Sequence, residues 1–329
     1  MNGNGVLLRV GTVVVGVDGS AGSRAALRLA ADEAARRGDV LVAVTAEGVM
    51  LEDLTAPEPA QAREGMSFLA ALSTAPAARA AVTASPSVRV RSGIRRLRQI
   101  VSEELGASPA SPVQLEVWDG RAARILATRS ENARLLVVGA RGSGGFRGLR
   151  LGSVAQQVLR RVACPVIVVR RWPLPAREEA PAVCAVVAFA PSGRAATLEA
   201  DQAAAAILGF AADEARMRGA ALEVLALGGA LLGTHDSADA QRFVAERGDF
   251  ADLAVRVTVM TGDVAAGVAE RSRLSRLVVV GSSRDGPSAA ETAAVVDRLV
   301  RASDCPVAVV ATPAGEKGGD ARRLTRAGA

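Results

Sequence analysis

Short apolar runs alternate with longer segments rich in Ala, Leu and Arg along the sequence. The apolar runs carry no polar alternation, which is typical of strands in a parallel sheet that helices cover on both faces. Residues 94–107 have the spacing of an amphipathic helix. Residues 47–93 are rich in Ala and Pro with little periodicity, which predicts a long, flexible excursion. In the first half, the pattern predicts strands near residues 11–17, 40–45, 113–118, 134–139 and 165–169.

This pattern occurs twice in the chain. The segment LAADEAARRG at 29–38 recurs as FAADEARMRG at 210–219, and RRVACPVIVV at 160–169 recurs as VRASDCPVAVV at 300–310. The repeat predicts two tandem α/β domains, each a doubly wound parallel sheet of five strands. We place the first domain at 1–172, a linker rich in prolines and charges at 173–182, the second domain at 183–312 and a disordered tail at 313–329.

The last strand of each domain is wholly apolar, with the sequences PVIVV and PVAVV. Unpaired strand edges of this kind tend to pair with another edge. We therefore expect edge-to-edge pairing, either between the two halves as an intramolecular pseudo-dimer or between two chains as a homodimer. No feature of the sequence names another protein partner.

Composition narrows the class of protein. Hydrophobic residues make up 50% of the chain and charged residues 22%, so disorder throughout is excluded. No apolar run approaches the ~18–20 residues of a membrane span, and the N-terminus lacks the charged start of a signal peptide. We therefore expect a cytoplasmic protein with no membrane partner. The net charge of +6 comes from scattered arginines, and the aromatic content is only 2%, which disfavours nucleic-acid binding.

Cysteine and histidine chemistry is limited. The three cysteines lack CxxC spacing, which disfavours a disulfide framework or a zinc site. Cys164 and Cys305 occupy matching positions before the last strands, and we expect small buried thiols there. His235, the only histidine, is predicted to lie in a loop. With a single histidine, no His-based metal site can be built, and we assign no catalytic residue and no metal ligand.

A glycine-rich loop carries the candidate chemistry. It follows the fourth predicted strand at Gly139 and ends where a helix is predicted to start, near Gly152-Ser153. Glycines let backbone amides approach an anion closely, and a helix N-terminus adds partial positive charge, so the loop fits a phosphate chain. The segment has no lysine and follows the fourth strand, which excludes a P-loop and a dinucleotide fingerprint. The alternative for the loop is a plain mobile connection between strand and helix. Arg147 and Arg150 are candidates for phosphate contact, and the alternative for them is a solvated position.

The spacing Gly139-x2-Gly142-x9-Gly152-Ser153, together with VVVGVDGS at residues 13–20, resembles the universal stress protein family, specifically its ATP-binding branch. The resemblance extends over the tandem pair except for the excursion and the tail. It implies a Rossmann-like fold of the adenine nucleotide alpha hydrolase type, with ATP as the ligand. Mg²⁺ is a candidate companion of the triphosphate, and Asp18 is a carboxylate that could help to hold it, although we assign no metal ligand.

The resemblance also implies the site residues. Asp18 would lie beside the nucleoside; the alternative from the residues alone is an N-cap or turn carboxylate before a helix near Ser20. Backbone contacts to the nucleoside would come from Gly16 and Val17, and those to adenine from Val44. The ribose and phosphates would be held by Gly139, Ala140, Arg141, Gly142, Gly144, Gly145, Gly152, Ser153 and Val154.

The second half departs from the motif. It keeps Gly281, but Arg284 stands at the second glycine, one residue is missing, and Ala293-Ala294 replace the Gly-Ser pair. FAPS at 189–192 replaces VDGS, so the aspartate is also lost. We therefore expect a structural or dimerising second domain that binds nucleotide poorly or not at all.

These features predict an ATP-binding universal stress protein that acts as a sensor or regulator in a stress response rather than as an enzyme, with slow or absent turnover. No candidate base and no Walker-type lysine stands near the loop. Two alternatives are an interaction module with two vestigial pockets and an enzyme that hydrolyses ATP slowly or transfers adenylyl groups. An enzyme that transfers adenylyl groups would be expected to carry an SGGxDS-like loop after the first strand, but this chain has VDGSAGS there.

Overall fold

The structure is a computed structural model of the 329-residue chain. It describes residues 11–47, 86–142, 151–162, 164–170, 172–174, 182–189, 198–228, 237–260, 262–283 and 289–312. Several sequence predictions lie outside these ranges, namely most of the excursion, the tail, Gly144, Gly145, Arg147, Arg150 and His235.

Strands and helices alternate through the first half, as the apolar pattern predicts. Its elements are β1 (Thr12–Gly16), α1 (Ala21–Arg37), β2 (Val40–Glu47), α2 (Pro86–Leu105), β3 (Val113–Asp119), α3 (Ala122–Arg129), β4 (Leu135–Gly139), α4 (Ser153–Arg161) and β5 (Val166–Val169). The second half repeats this order. Its elements are β6 (Ala182–Phe189), α5 (Leu198–Arg218), β7 (Ala221–Gly228), α6 (Ser237–Ala245), β8 (Val255–Met260), α7 (Val264–Ser272), β9 (Ser275–Ser283), α8 (Ala289–Ala302) and β10 (Val307–Thr312).

All ten of these strands form one sheet, in the order β3-β2-β1-β4-β5-β10-β9-β6-β7-β8. Within each half, the five neighbouring strands are parallel, which confirms the doubly wound five-stranded arrangement predicted for each half. The two halves meet at β5 and β10, which pair antiparallel, with Ile167 opposite Ala308. The expected edge-to-edge pairing therefore occurs within one chain, as an intramolecular pseudo-dimer.

Helix α2 begins earlier than the sequence predicts. The excursion was expected to run to residue 93, but the helix starts at Pro86. Proline suits the first turn of a helix, because the amide that it lacks has no intrahelical partner there. The sequence did not indicate this start, because Gly93 interrupts the apolar spacing of the helix. A Cβ on Gly93 would lie 2.8 Å from Val117 Cγ1 of β3. The glycine thus lets α2 pack closely on the sheet.

The hydrophobic core continues across the junction on both faces of the sheet. On one face, Leu27 of α1 and Leu208 of α5 belong to the same buried cluster as Ile167 of β5. On the other face, Val158 of α4 and Leu299 of α8 belong to a second cluster. Because each cluster includes side chains from both halves, the two halves share one folded body.

Four buried charged side chains join the halves on the first face. Arg37 of α1 donates hydrogen bonds to Glu33 and to Glu214, and Arg218 of α5 donates to Glu214 and to Glu33. The two carboxylates are at most 1% exposed and the two guanidinium groups 8% exposed. Burial raises the pKa of Glu214 above its ordinary value, although Arg218 beside it opposes the shift. We call these four residues the ionic cluster.

Candidate functional site

The carboxyl edges of β1 and β4 meet at the centre of the first half. The two strands are parallel neighbours, with Val15 opposite Val137. Asp18 follows β1, and Arg141 and Gly142 follow β4, so all three lie at the same edge of the sheet. In doubly wound sheets this edge is where ligands bind.

Two glycines allow the backbones at this edge to come close together. A Cβ on Gly139 would lie 2.7 Å from the carbonyl carbon of Gly22, and a Cβ on Gly22 would lie 2.6 Å from the carbonyl oxygen of Arg141. Ser20 adds a direct link, because its hydroxyl donates to the Arg141 carbonyl at 3.3 Å. The start of α1 is thereby held against the segment that follows β4.

Asp18 forms a turn carboxylate at this edge. It is not the N-cap of α1, since Ser20 accepts the capping hydrogen bond from the Ser23 amide at 3.2 Å. Asp18 Oδ1 accepts from the Ser20 amide at 2.9 Å. The other carboxylate oxygen faces Gly142, where a Cβ would lie 2.7 Å from it. The turn interpretation of Asp18 is therefore correct, and its exposed carboxylate still borders the predicted site.

The floor of the predicted site is apolar and already hydrogen-bonded. Val17 and Val44 are 3% and 2% exposed. The Val17 amide donates to the Val44 carbonyl at 2.8 Å, and the Thr45 hydroxyl donates to the Val17 carbonyl at 2.6 Å. Pairing with β2 and Thr45 thus engages both the amide and the carbonyl of Val17, which is predicted to contact the nucleoside through its backbone. A ligand atom could share only the second lone pair of these carbonyls.

The start of α4 supplies the anion-binding geometry. Its N-cap, Gly152, has φ −61° and donates its amide to the Ala140 carbonyl at 2.9 Å, while the Ala140 amide donates to Val169 at 2.8 Å. The amides of Ala140 and Gly152 are therefore engaged within the protein. Ser153 and Val154 come next, are exposed, and occupy the first turn, whose amides have no acceptor within the helix. These two amides are the donors best placed to meet a phosphate.

The described site residues gather at one edge, as the motif predicts. Gly16, Asp18, Gly139, Arg141 and Gly142 are half-buried or exposed around the apolar floor. Within the described ranges, no three His, Cys, Asp or Glu side chains group together to hold a metal ion. The sequence did not identify four residues that position this edge: Ser20, Gly22, Ser23 and Thr45. Only the first of them lies within the VDGS segment quoted above.

A groove of about 560 Å³ lies elsewhere on the first half, between α3 and the end of α4. None of the predicted site residues lines it. Its walls carry Arg121, Arg124, Ala127, Thr128, Glu131, Arg161 and Val162.

The second half lacks the same helix start. Helix α8 begins at Ala289, so Ala293 and Ala294, which stand at the positions of Gly152 and Ser153 in the repeat, lie inside the helix. Amides inside a helix are consumed by the i→i−4 hydrogen bonds. The amides of Ala293 and Ala294 are therefore used within the helix and are not available to bind a phosphate.

The three thiols are at least partly buried. Cys184 and Cys305 are buried and Cys164 is half-buried, and none of the three forms a disulfide. Burial raises the pKa of the Cys164 thiol to about 11 and also raises the pKa of Cys184. Since the thiolate is the reactive form, both thiols are poor nucleophiles near neutral pH.

We expect Cys164 in the folded protein to react with iodoacetamide at pH 8 on the order of 100 times more slowly than in urea, because its pKa is raised by about two units. Peptide mass spectrometry of timed samples measures both rates, and the urea sample is the control. Equal rates in the two samples would show that the thiol is not protected by burial.

Comparison with known proteins agrees with these features. Residues 10–170 match the model of the universal stress protein family. The universal stress protein Rv1996 of Mycobacterium tuberculosis is 28% identical over 310 residues, covering 92% of this chain and 95% of that protein. The chain belongs to the universal stress protein family. Its match to Rv1996 spans both halves, which fits the tandem type of the family.

Two further similarities support this. The universal stress protein Rv2005c of Mycobacterium tuberculosis is 36% identical over 160 residues, which is 48% of this chain and 45% of that protein. A universal stress protein structure from Archaeoglobus fulgidus covers 93% of this chain and 98% of its own, with a TM-score of 0.59 and 15% identity. At that identity the structural match shows the fold. In the described parts of this universal stress protein, no helix has both the length and the apolar character to cross a membrane.

Proposed function

We propose that this universal stress protein binds one ATP in its first half and acts as a nucleotide-dependent regulator in the cytoplasm. The observation that carries the proposal is the start of α4, where the exposed first-turn residues Ser153 and Val154 follow Gly152, which lies close to Gly142. The motif spacing from Gly139 to Ser153 adds the family's ATP-binding pattern.

Each part of the nucleotide has a matching surface. The base would rest on the apolar floor of Val17 and Val44, and the ribose would lie beside Asp18. The phosphates would meet the amides of Ser153 and Val154, where the helix dipole favours negative charge. Mg²⁺, if it accompanies the nucleotide, would be bound largely by phosphate oxygens, and Asp18 at the same edge of the sheet would offer it a carboxylate oxygen.

The site is suited to binding rather than to turnover. The segment from residue 137 to 169 has no lysine to stabilise a transferred phosphoryl group. Asp18, the carboxylate at the edge, already accepts a hydrogen bond from the Ser20 amide. Regulation would then depend on whether nucleotide is bound, and not on its hydrolysis.

Isothermal titration of the full chain tests the proposal, and we expect one ATP per chain. Ala294→Glu is the matched control, because Ala294 is the exposed counterpart of Ser153 in the second half and its change should leave the stoichiometry at one. Two ATP per chain would contradict the asymmetry. No binding of ATP, ADP or AMP would favour the vestigial interaction module instead.

A further inference from the structure

A carboxylate of the second half contacts the start of α4 in the first half. The Leu151 amide donates to Asp297 Oδ1 of α8 at 3.1 Å, and Leu151 is the residue just before the N-cap Gly152. The other oxygen of Asp297 pairs with Arg301 Nη2 at 3.1 Å, one turn further along α8. The Asp297 side chain is 16% exposed, so this contact lies largely out of water.

Apolar packing holds the same place. Leu151 is 7% exposed and belongs to the buried cluster that contains Val296 and Leu299 of α8. At the C-terminal end of α8, Arg170 of the first half donates to the carbonyls of Arg301 and Ser303. The C-terminal half of α8 is thus attached to the first half at two places, and the attachment at Asp297 lies next to the predicted phosphate-binding turn.

The repeat makes this contact one-sided. Aligning the two halves on Cys164-Pro165 and Cys305-Pro306 places Asp297 opposite Gln156 of α4. The half without the motif therefore carries the charged acceptor, and the half with the motif carries a neutral side chain. The Leu151 amide, which donates to Asp297, belongs to the half that carries the complete motif.

We infer that Asp297 is a positioning residue for the nucleotide site, through which the second half sets the geometry of α4's first turn. The inference rests on the proposed function. A hydrogen bond to a charged acceptor is among the stronger ones in proteins, and here it fixes the backbone one residue ahead of the N-cap. By linkage, a nucleotide that requires this geometry must in turn stabilise the contact between α4 and α8.

The sign of the effect separates positioning from simple electrostatics. If Asp297 positions the turn, Asp297→Ala should weaken ATP binding roughly 10-fold, and Asp297→Asn should restore most of it, since its amide oxygen can still accept the Leu151 hydrogen bond. If Asp297 acted only as a negative charge near the phosphates, both changes would tighten ATP binding.

Titration calorimetry of the full chain measures the affinities, and hydrogen exchange of the Leu151 amide measures the contact without nucleotide. We expect faster exchange in Asp297→Ala, near-normal exchange in Asp297→Asn, and no change of either quantity in the control Asp304→Ala, whose carboxylate pairs with Arg273 away from α4. Thermal melts check that each variant is folded.

The outcomes separate this inference from the proposed function. Normal ATP affinity in folded Asp297→Ala, or tighter binding in both variants, would overturn the positioning role while leaving ATP binding in place. Failure of the wild type to bind ATP would contradict the proposed function and with it the link to nucleotide. In that case, the exchange of the Leu151 amide would still show whether Asp297 holds the turn.

Discussion

Ser153→Glu is expected to weaken ATP binding by at least about 100-fold while leaving the protein folded. The glutamate would place a negative charge at the first turn of α4, where the phosphates should meet backbone amides. Losing two charge-assisted hydrogen bonds, each worth about 1.5–3 kcal/mol, accounts for a loss of this size. An acidic residue near a helix N-terminus does not harm the helix, so the melting temperature without ATP should match the wild type. The ATP-dependent rise in melting temperature should vanish.

Gly152→Val tests the same site by shape rather than by charge. A Cβ at Gly152 would lie 3.3 Å from the Ala140 carbonyl oxygen and 3.6 Å from the Gly142 amide nitrogen. A branched side chain there should obstruct the approach of phosphate. Ala294→Glu, at the matching exposed position of the second half, should keep the full ATP-dependent shift. A full shift in Ser153→Glu or Gly152→Val would show that the nucleotide lies elsewhere.

Arg218→Ala is expected to lower the free energy of unfolding by about 3–5 kcal/mol, because it leaves the Glu33 and Glu214 carboxylates buried with only part of their compensating charge. Urea unfolding followed by circular dichroism measures the change. The loss should be smaller at pH 5 than at pH 7. Burial already raises the pKa of Glu214, and the loss of Arg218 raises it further. Protonation of this carboxyl therefore favours the folded state, and the stability of the variant falls as the pH rises.

Arg216→Ala is the matched control for this prediction. Arg216 lies on the same helix but is exposed, where it pairs with Asp213 and Asp252. Exposed ion pairs contribute little to stability, so this variant should unfold close to the wild type. Equal losses of unfolding free energy in Arg216→Ala and Arg218→Ala would show that the buried ionic cluster contributes no more to stability than an exposed ion pair.

The parallel sheet of each half could be predicted from the sequence because β1, β4 and β5 are continuous apolar runs. The start of α2 could not be predicted, because Gly93 interrupts the helical spacing. A glycine is needed there because the helix packs closely on Val117, which is distant in sequence. The burial of Glu33 could not be predicted either. Its segment has the sequence of an ordinary polar helix face, and Glu33 is buried beside Glu214 only because β5 pairs with β10.

In the candidate site, the motif predicted the positions of residues but not their free hydrogen-bonding groups. The amide of Gly152 is engaged by Ala140, and that of Val17 by Val44, through backbone pairing that extends beyond the strands. Such pairing depends on the three-dimensional register of neighbouring segments. The contact between Asp297 and Leu151 spans 146 residues, so no local pattern could have indicated it.

The antiparallel pair of β5 and β10 makes the assembly of the two halves a unimolecular event. In a dimer of separate chains, the corresponding contact would be lost on dilution. A covalent tether instead holds the two surfaces at an effective concentration of about a millimolar or more. The turn before α4 and the ionic cluster are therefore complete in every folded molecule, even at a low copy number in the cell. Nucleotide affinity should accordingly be the same in nanomolar and in micromolar protein.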